Sequence, residues 1–411
     1  MSGNHRGLSG LGAGKLARVL AYCFAFVAVA VAVAACGSSS SSTSSAAAAG
    51  SSTTSSSASG SSSSGGTASA CVQQATQLVA KQKAPMPEIL PADSLDMGSI
   101  KGKTVWYISP SQATGYALSV SQGLSAAGKA AGVNITIFDG KGEPTRFTQG
   151  VEQAVAQKAG GIILYGIDPA LVPQGLLQAK AAKIPVVSVL TGKPSPANGT
   201  VAEAINEDVT GGAKAMADYG AFYTNCKVDG ATSFDPVYPS LVTEKETIKA
   251  ELASLCPTTC KVQDHQMSLA TMATALAPSV QNLIQRNSTL NTIFATFDQA
   301  ATYENPAVTS SSSKVKIVGT DGLAPNIDAI RKGTAQIADI SYVPAPYLGW
   351  LSLDQVARAI LGKPTGANGQ PYVLPTQTFD KDNVGTSDAI PSLFPKYANY
   401  QSDFTKIWGV G

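Results

Sequence analysis

From residue 101 onward the chain alternates short apolar, β-rich runs with helix-length segments, and this alternation restricts the fold more than any other feature. The run 104–109 (TVWYIS) precedes a helix expected over 117–131 and closed by Gly132. The run 134–139 (NITIFD) precedes a helix over 148–158, 161–165 (GIILY) precedes one over 171–182, and 184–190 (IPVVSVL) ends the set. Runs this continuously apolar suit strands covered on both faces. A helix between consecutive strands gives βαβ units and hence a parallel sheet.

The pattern then restarts. A helix over 210–223 precedes 228–234 (VDGATSF), and one over 241–255 precedes 261–265. A further helix over 273–285 leads to 292–297 (TIFATF), 315–319 (VKIVG) and 337–342. Two α/β halves of similar size predict two doubly wound parallel-sheet lobes with a cleft between them. In open α/β sheets ligands bind beyond the carboxyl ends of the strands, so the residues just after each run are the ones to weigh.

The N-terminus reads as an address followed by a tether. Residues 1–35 hold three cations, Arg6, Lys15 and Arg18, and no acid, and the apolar run 19–35 leads to Cys36. At roughly 17 residues this run lies near the lower limit for a membrane span. However, Val33-Ala34-Ala35-Cys36-Gly37 resembles a bacterial lipobox, in which small residues precede a Cys that is lipidated and becomes the new N-terminus. A lipoprotein signal peptide over 1–35 with lipidation at Cys36 is therefore expected, and each buried acyl methylene is worth about 0.8 kcal/mol. From Cys36 to residue 70 the chain is almost wholly Ser, Ala, Gly and Thr. Such a segment cannot offset its ordering entropy, and as a disordered tether it would span about 30–35 Å. Losing the signal's cations reduces 29 basic residues to 26 against 27 acidic ones, a net charge near −1. That excludes the strongly basic balance of a nucleic-acid-binding protein.

Five segments follow one another in a telling order: AAGKAAG with NITIFDG, GVEQAVAQKAGGIILYGIDPALVP, AKAAKIPVVSV, NLIQRNSTLNTIFATFD and KIVGTDG. Together, over 101–362, they resemble the type I periplasmic binding proteins, in the sugar-binding branch that serves ABC importers. The resemblance implies two lobes joined by a three-segment hinge. Lobe one would be 101–204 plus 342–375, and lobe two 205–341 plus 376–411, after a lead-in over 71–100. It implies a monomeric binder rather than an enzyme, needing no cofactor. Such a protein closes on a small-molecule solute and delivers it to an ABC permease with its ATPase, held to the membrane through its lipid anchor alone. A sensor of the same fold, passing occupancy to a membrane receptor, is the alternative. Catalytic signatures are weak: there is no Gly-x-Ser-x-Gly and no phosphate loop, and the Ser-x-x-Lys at Ser311 and Lys314 lies in a serine run without partner motifs.

The resemblance also carries ligand-binding roles onto particular residues. Asp321 in GTDG matches an Asp that accepts hydrogen bonds from sugar hydroxyls, a role suited to an acceptor-only carboxylate; capping of a helix starting near Asn326 is its structural alternative. Tyr116, close after Thr114, matches the first of two aromatics that stack on the sugar ring, with Ala117 in the second place; core packing is the alternative. Asp139 is a rim or structural candidate, and Asp168 before Pro169 a helix cap. Elsewhere the chain departs from the pattern. Leu190-Thr191 stands where ribose-type relatives carry Asp-Arg, and Phe297-Asp298 where they carry Asn-Asp. Ser341-Tyr342 falls near the cleft Gln, and Lys245 is the nearest cation to an Arg in the helix after 235–239. Tyr165, Phe234, Tyr238 and Tyr347 add aromatics near strand ends. The expectation is a site less charged and more aromatic than a pentose site, for an uncharged, sugar or sugar-like solute.

With Cys23 in the signal and Cys36 as lipid acceptor, Cys71, Cys226, Cys256 and Cys260 form an even set with three possible pairings. Cys226 and Cys260 each precede a second-lobe strand and are candidates for a structural bridge at one sheet edge. His5 and His265 are the only histidines, so no metal site is expected.

Overall fold

A computed structural model describes residues 64–191, 199–367 and 369–410. The signal peptide, Cys36 and the tether up to residue 63 lie outside the described residues. Helix α1 (Ser64–Gln82) already occupies 64–70, which the sequence assigns to the tether.

Lobe one contains β1 (Thr104–Ser109), α2 (Gly115–Ala131), β2 (Asn134–Asp139), α3 (Pro144–Ala156), β3 (Gly161–Tyr165), α4 (Pro173–Ala181), β4 (Val186–Val189) and β5 (Glu203–Glu207). Lobe two contains α5 (Val209–Tyr223), β6 (Asp229–Phe234), α6 (Pro239–Leu255), β7 (Lys261–Gln266), α7 (Met272–Arg286), β8 (Thr292–Ala295), α8 (Asp298–Ser310), β9 (Lys316–Asp321), α9 (Ala324–Arg331) and β10 (Gln336–Ser341). The chain ends with α10 (Ala345–Ile360), β11 (Tyr372–Leu374), β12 (Gln377–Asp380), α11 (Ile390–Leu393) and α12 (Tyr400–Trp408).

The sheets run in the orders β2-β1-β3-β4-β5-β11 and β7-β6-β8-β9-β10-β12. All pairings are parallel except β12, which runs antiparallel to β10. This is the doubly wound pair of lobes that the alternation predicts. Period-two geometry divides each interior strand between two cores. Val105, Tyr107 and Ile163 face α2 and α10, whereas Trp106, Ile108, Ile162 and Leu164 face α3 and α4. Strands β2 and β7 are sheet edges, so NITIFD buries no residue fully and KVQDHQ buries only His265. Helices α2 and α10 meet backbone to backbone. A Cβ on Gly123 would lie 2.2 Å from the Pro346 carbonyl oxygen, and one on Gly349 would lie 2.3 Å from the Leu124 nitrogen, so only glycine fits either position.

Three crossings join the lobes: β5 to α5, β10 to α10, and β11 to β12. The expected boundaries need three corrections. Strand β5 pairs with β4 in lobe one, so that segment of the lobe ends after Glu207, not at 204. The lead-in starts on lobe two, where α1 packs on α5, Cys71 is bonded to Cys226, and Lys83 pairs with Asp380. It then crosses to lobe one, where the Leu95 N–H donates to the Ile407 carbonyl at 2.8 Å. The C-terminal remainder divides as well. Strand β12 belongs to lobe two, but α12 returns to lobe one. There Trp408 stacks on Trp350 with centroids 5.1 Å apart, and its indole N–H donates to Asp354 at 2.8 Å. The buried Asp354 is also paired with Arg358 at 2.7 Å.

The second disulfide joins Cys256 to Cys260. Cys226 and Cys260 do lie close together, with the Thr259 hydroxyl on the Cys226 carbonyl at 2.6 Å, but each is bonded to another partner. Among the described residues no helix is long and apolar enough to cross a membrane.

Candidate functional site

Where the carboxyl ends of the two sheets face each other, a cavity of about 120 Å³ lies between the lobes. Lobe one lines it with Pro110, Thr114 and Tyr116 after β1, Tyr165 and Gly166 at the end of β3, Leu190 after β4, and Glu207 closing β5. Lobe two contributes Asp235 and Tyr238 before α6, and Ser240, Leu241 and Glu244 on it. Leu269, Thr296, Phe297, Gln299, Asp321 and Tyr342 complete the wall. The lobes touch at both rims. The Gly115 N–H donates to Gln299 Oε1 at 3.0 Å, and Gly142 lies so close to Ala270 that a Cβ would stand 2.9 Å from its nitrogen.

The aromatic side chains are held by the hinge and by one another. The Tyr116 hydroxyl donates to the Val343 carbonyl at 2.7 Å, fixing a lobe-one ring to the second crossing. Tyr165 packs on Tyr107 with centroids 5.4 Å apart. Asp321 carries positive backbone φ of 130°, in a region costly for a residue with a side chain, and is followed by Gly322 at φ 85°. Its Oδ2 accepts the Asp298 N–H at 3.1 Å, which starts α8. Asp298 itself points away from the cavity. Its Oδ2 accepts the Leu323 N–H at 2.7 Å, and it shares a buried network with Gln336 and Asp339 that braces the turn carrying Asp321.

Four carboxyl groups line the cavity, and among the described residues no Lys, Arg or His does. Asp235 is satisfied by backbone, accepting the Val237 N–H at 3.0 Å and the Leu269 N–H at 2.7 Å. Glu207 and Glu244 each keep a buried oxygen, Oε2, without a hydrogen-bond partner. Burial pushes the Glu207 carboxyl up to about 7. Burial, with repulsion from Glu207 and Asp321, lifts Glu244 well above the usual carboxylate range. Asp321 is lifted by burial, opposed in part by the hydrogen bond from the Asp298 backbone. A low-dielectric wall disfavours the negative charge of Glu207, Glu244 and Asp321, and among the described lining residues no cation offsets it.

The cavity gathers Thr114, Tyr116, Tyr165, Leu190, Tyr238, Phe297, Asp321 and Tyr342 from the residues expected by sequence. Four others lie outside it. Asp139 caps the loop after β2, accepting the Gln112 and Lys141 N–H groups at 3.0 Å. Thr191 is buried against Ser188 and Asn206. Phe234 lies beneath the Lys245 ammonium, 4.6 Å from its centroid, and Asp298 is the brace just described. Tyr347 belongs to the lobe-one core, packed on Tyr397 and Phe404. Asp168 is a cap on the Ala170 N–H, as its position before Pro169 implies. Glu207, Asp235, Glu244 and Gln299 were not among the expected residues. The cavity wall is rich in aromatic side chains, and it carries four carboxyl groups where the sequence suggests little charge. Lys245 does not enter it, because its ammonium pairs with Glu246 and Asp264.

Acceptors, hydroxyls and flat faces thus come from both lobes, so a bound solute would hold the cleft closed. No curated protein matches this chain. Among solved structures, the arabinose transporter's periplasmic binding component from Shewanella sp. ANA-3, bound to L-arabinofuranose, is 18% identical, with 75% of this chain and 98% of that one covered at a TM-score of 0.61. A carbohydrate transporter protein from Acidothermus cellulolyticus 11B, in complex with myo-inositol, is 17% identical, with 74% and 99% covered at a TM-score of 0.61. An ABC sugar transporter subunit from Rhodobacter sphaeroides 2.4.1 is 16% identical, with 69% and 100% covered at 0.60. Residues 105–364 match the periplasmic binding protein domain family. With more than half its length in that match, two doubly wound lobes and a solute-sized cleft between them, the chain belongs to the periplasmic binding protein family, in its type I fold.

Proposed function

We propose that this protein is a lipid-anchored, extracytoplasmic solute-binding protein that captures a small hydroxylated, sugar-like solute and delivers it to an ABC permease with its ATPase. The observation that carries this reading is the interlobe cavity, in which Tyr116 and Tyr165 from one lobe face Asp321 and Phe297 from the other. Aromatic faces suit the C–H surface of a sugar or cyclitol ring, and the carboxyl and hydroxyl groups suit its edge. The arabinofuranose and myo-inositol held by proteins of the same fold support that class of solute. The signal-like N-terminus, Cys36 and the Ser-rich segment after it support a lipid anchor with a flexible reach.

The test uses a secreted Cys36→Ser form in thermal-shift and calorimetric titrations against sugars, polyols and cyclitols. A cognate solute at a hundred times its Kd should stabilise the protein by about 2.7 kcal/mol, and small-angle scattering should record compaction. The reading fails if no hydroxylated solute binds. Uptake of the identified solute should be lost on gene deletion; intact uptake with a lost transcriptional response would favour a sensor instead. Labelling with an acyl-chain probe, abolished by Cys36→Ser, tests the anchor.

A further inference from the structure

We infer that the solute is a cation: a sugar or cyclitol bearing an amine, whose ammonium is received by Glu207, Glu244 and Asp321 against the ring of Tyr342. This inference rests on the solute-binding reading of the cleft and adds the charge of the solute to it. Glu207 is 9% exposed and Glu244 only 4%, both line the cavity, and each has an oxygen that nothing in the protein satisfies. Glu207 and Asp321 lie close enough to raise the proton affinity of Glu244, Glu207 raises that of Asp321, and all three act on the Tyr342 hydroxyl. Among the described residues no basic side chain lines the cavity, and the nearest on α6, Lys245, is already paired outside it. Buried carboxylates need a partner, and this wall leaves that place to the solute.

Other cations fit less well. Among the described residues no three carboxylate, thiolate or imidazole groups converge closely enough to hold a metal ion. An ammonium is different: it offers only donors, spreads them over several acceptors, and gains from an aromatic face. Asp235, already held by two backbone amides, would take no part in receiving the charge.

The chemistry gives a signature that a neutral sugar cannot imitate. Burial pushes the Glu207 carboxyl up to about 7, and it lifts Glu244 and Asp321 well above the usual carboxylate range. An incoming ammonium favours the ionised carboxylates, so binding expels protons to solvent, and affinity rises with pH while the amine stays protonated. Facing these carboxyls from the packed elements, among the described residues, are Asp339 behind Asp321 and the hydroxyls of Tyr116, Tyr165, Tyr238 and Tyr342, whose protons burial holds in place. The hydroxyls remain neutral throughout this range.

The experiment is calorimetry on the Cys36→Ser protein at pH 5 and pH 6.5, where the amines keep their proton, in two buffers of different ionisation enthalpy. The probes are matched pairs: D-glucosamine and D-glucose, 1-deoxynojirimycin and 1,5-anhydro-D-glucitol, and 1-amino-1-deoxy-myo-inositol and myo-inositol. At least one amine should bind about tenfold or more tightly than its neutral partner, release protons, and bind more tightly at pH 6.5 than at pH 5. Glu244→Gln, and separately Glu207→Gln, should reduce the ratio of amine to neutral-partner affinity by about tenfold or more and reduce the protons released on binding. If neutral members bind as well as amines and without proton release, the inference falls and the solute-binding reading stands. If no probe binds, both fall. If the amine keeps its advantage in both variants, the assigned carboxyls are wrong and the inference is overturned.

Discussion

Glu207 allows the cost of the empty cleft to be measured without any ligand. It closes β5 at the first crossing, lies 9% exposed, and has burial as the main cause of a carboxyl shifted from 4.5 to about 7. Its folded pKa is raised, so between these two values the folded protein holds a proton that the unfolded chain has lost. Stability is therefore fully present below the unfolded value, declines as pH rises, and levels off above the folded one. At about 1.4 kcal/mol per pH unit the full loss is about 3 kcal/mol, most of it between pH 5 and pH 8. Glu207→Gln keeps the shape and removes the titration. The assay is urea unfolding of ligand-free Cys36→Ser protein, with and without the substitution, at several pH values across this window. Relative to its parent, the variant should gain stability progressively toward pH 8, by about 2–3 kcal/mol in all. A difference that stays constant with pH would refute the claim that burial holds this carboxyl protonated.

Three further outcomes follow from other parts of the molecule. Asp321→Asn should keep the fold, because Asn tolerates positive φ, but it should weaken solute binding about 10- to 100-fold through the loss of a charged acceptor; unchanged affinity by calorimetry would remove Asp321 from the site. Cys71→Ser opens a bridge spanning 155 residues of sequence, and should lower the unfolding free energy by about 2–5 kcal/mol in denaturant titration; a change below about 1 kcal/mol would mean that α1 contributes little to lobe two. Trp408→Ala removes a buried ring stacked on Trp350 and a donor to Asp354, and should cost about 3–5 kcal/mol. A near-unchanged thermal midpoint would contradict the docking of α12 on lobe one.

Strands covered on both faces were legible because their sequence has to be apolar throughout. The runs at 104–109 and 161–165 coincide with β1 and β3. Strand β5 was not legible. Its residues, EAINE, are all buried, yet it carries three polar side chains at the hinge side of the sheet and has no apolar run to detect. Helix α8 escaped for a related reason: it carries Pro306 inside it and few apolar residues. The path of the chain ends was illegible in a different way. An amphipathic segment such as α12 records that one face must be covered, but not by which lobe, and the same holds for α1 before Cys71 finds Cys226.

The carboxyl groups of the cavity wall were only partly legible, for a reason that lies in helix geometry. Rules about strand ends find residues such as Tyr165, Leu190 and Asp321, because a strand end points into the cleft whatever follows it. They do not reach a residue in the second turn of a helix. On α6, Leu241, Glu244, Ile248, Leu252 and Leu255 follow one another at helical spacing. Leu241 lines the cavity and the others are buried, so Glu244 occupies an inward position in an otherwise apolar stripe. That anomaly is readable from sequence, and it marks a buried acid. Lys245, one residue on and about 100° around the helix, carries its ammonium to Glu246 and Asp264 instead, so a single step along α6 decides which charge the helix presents to the cavity.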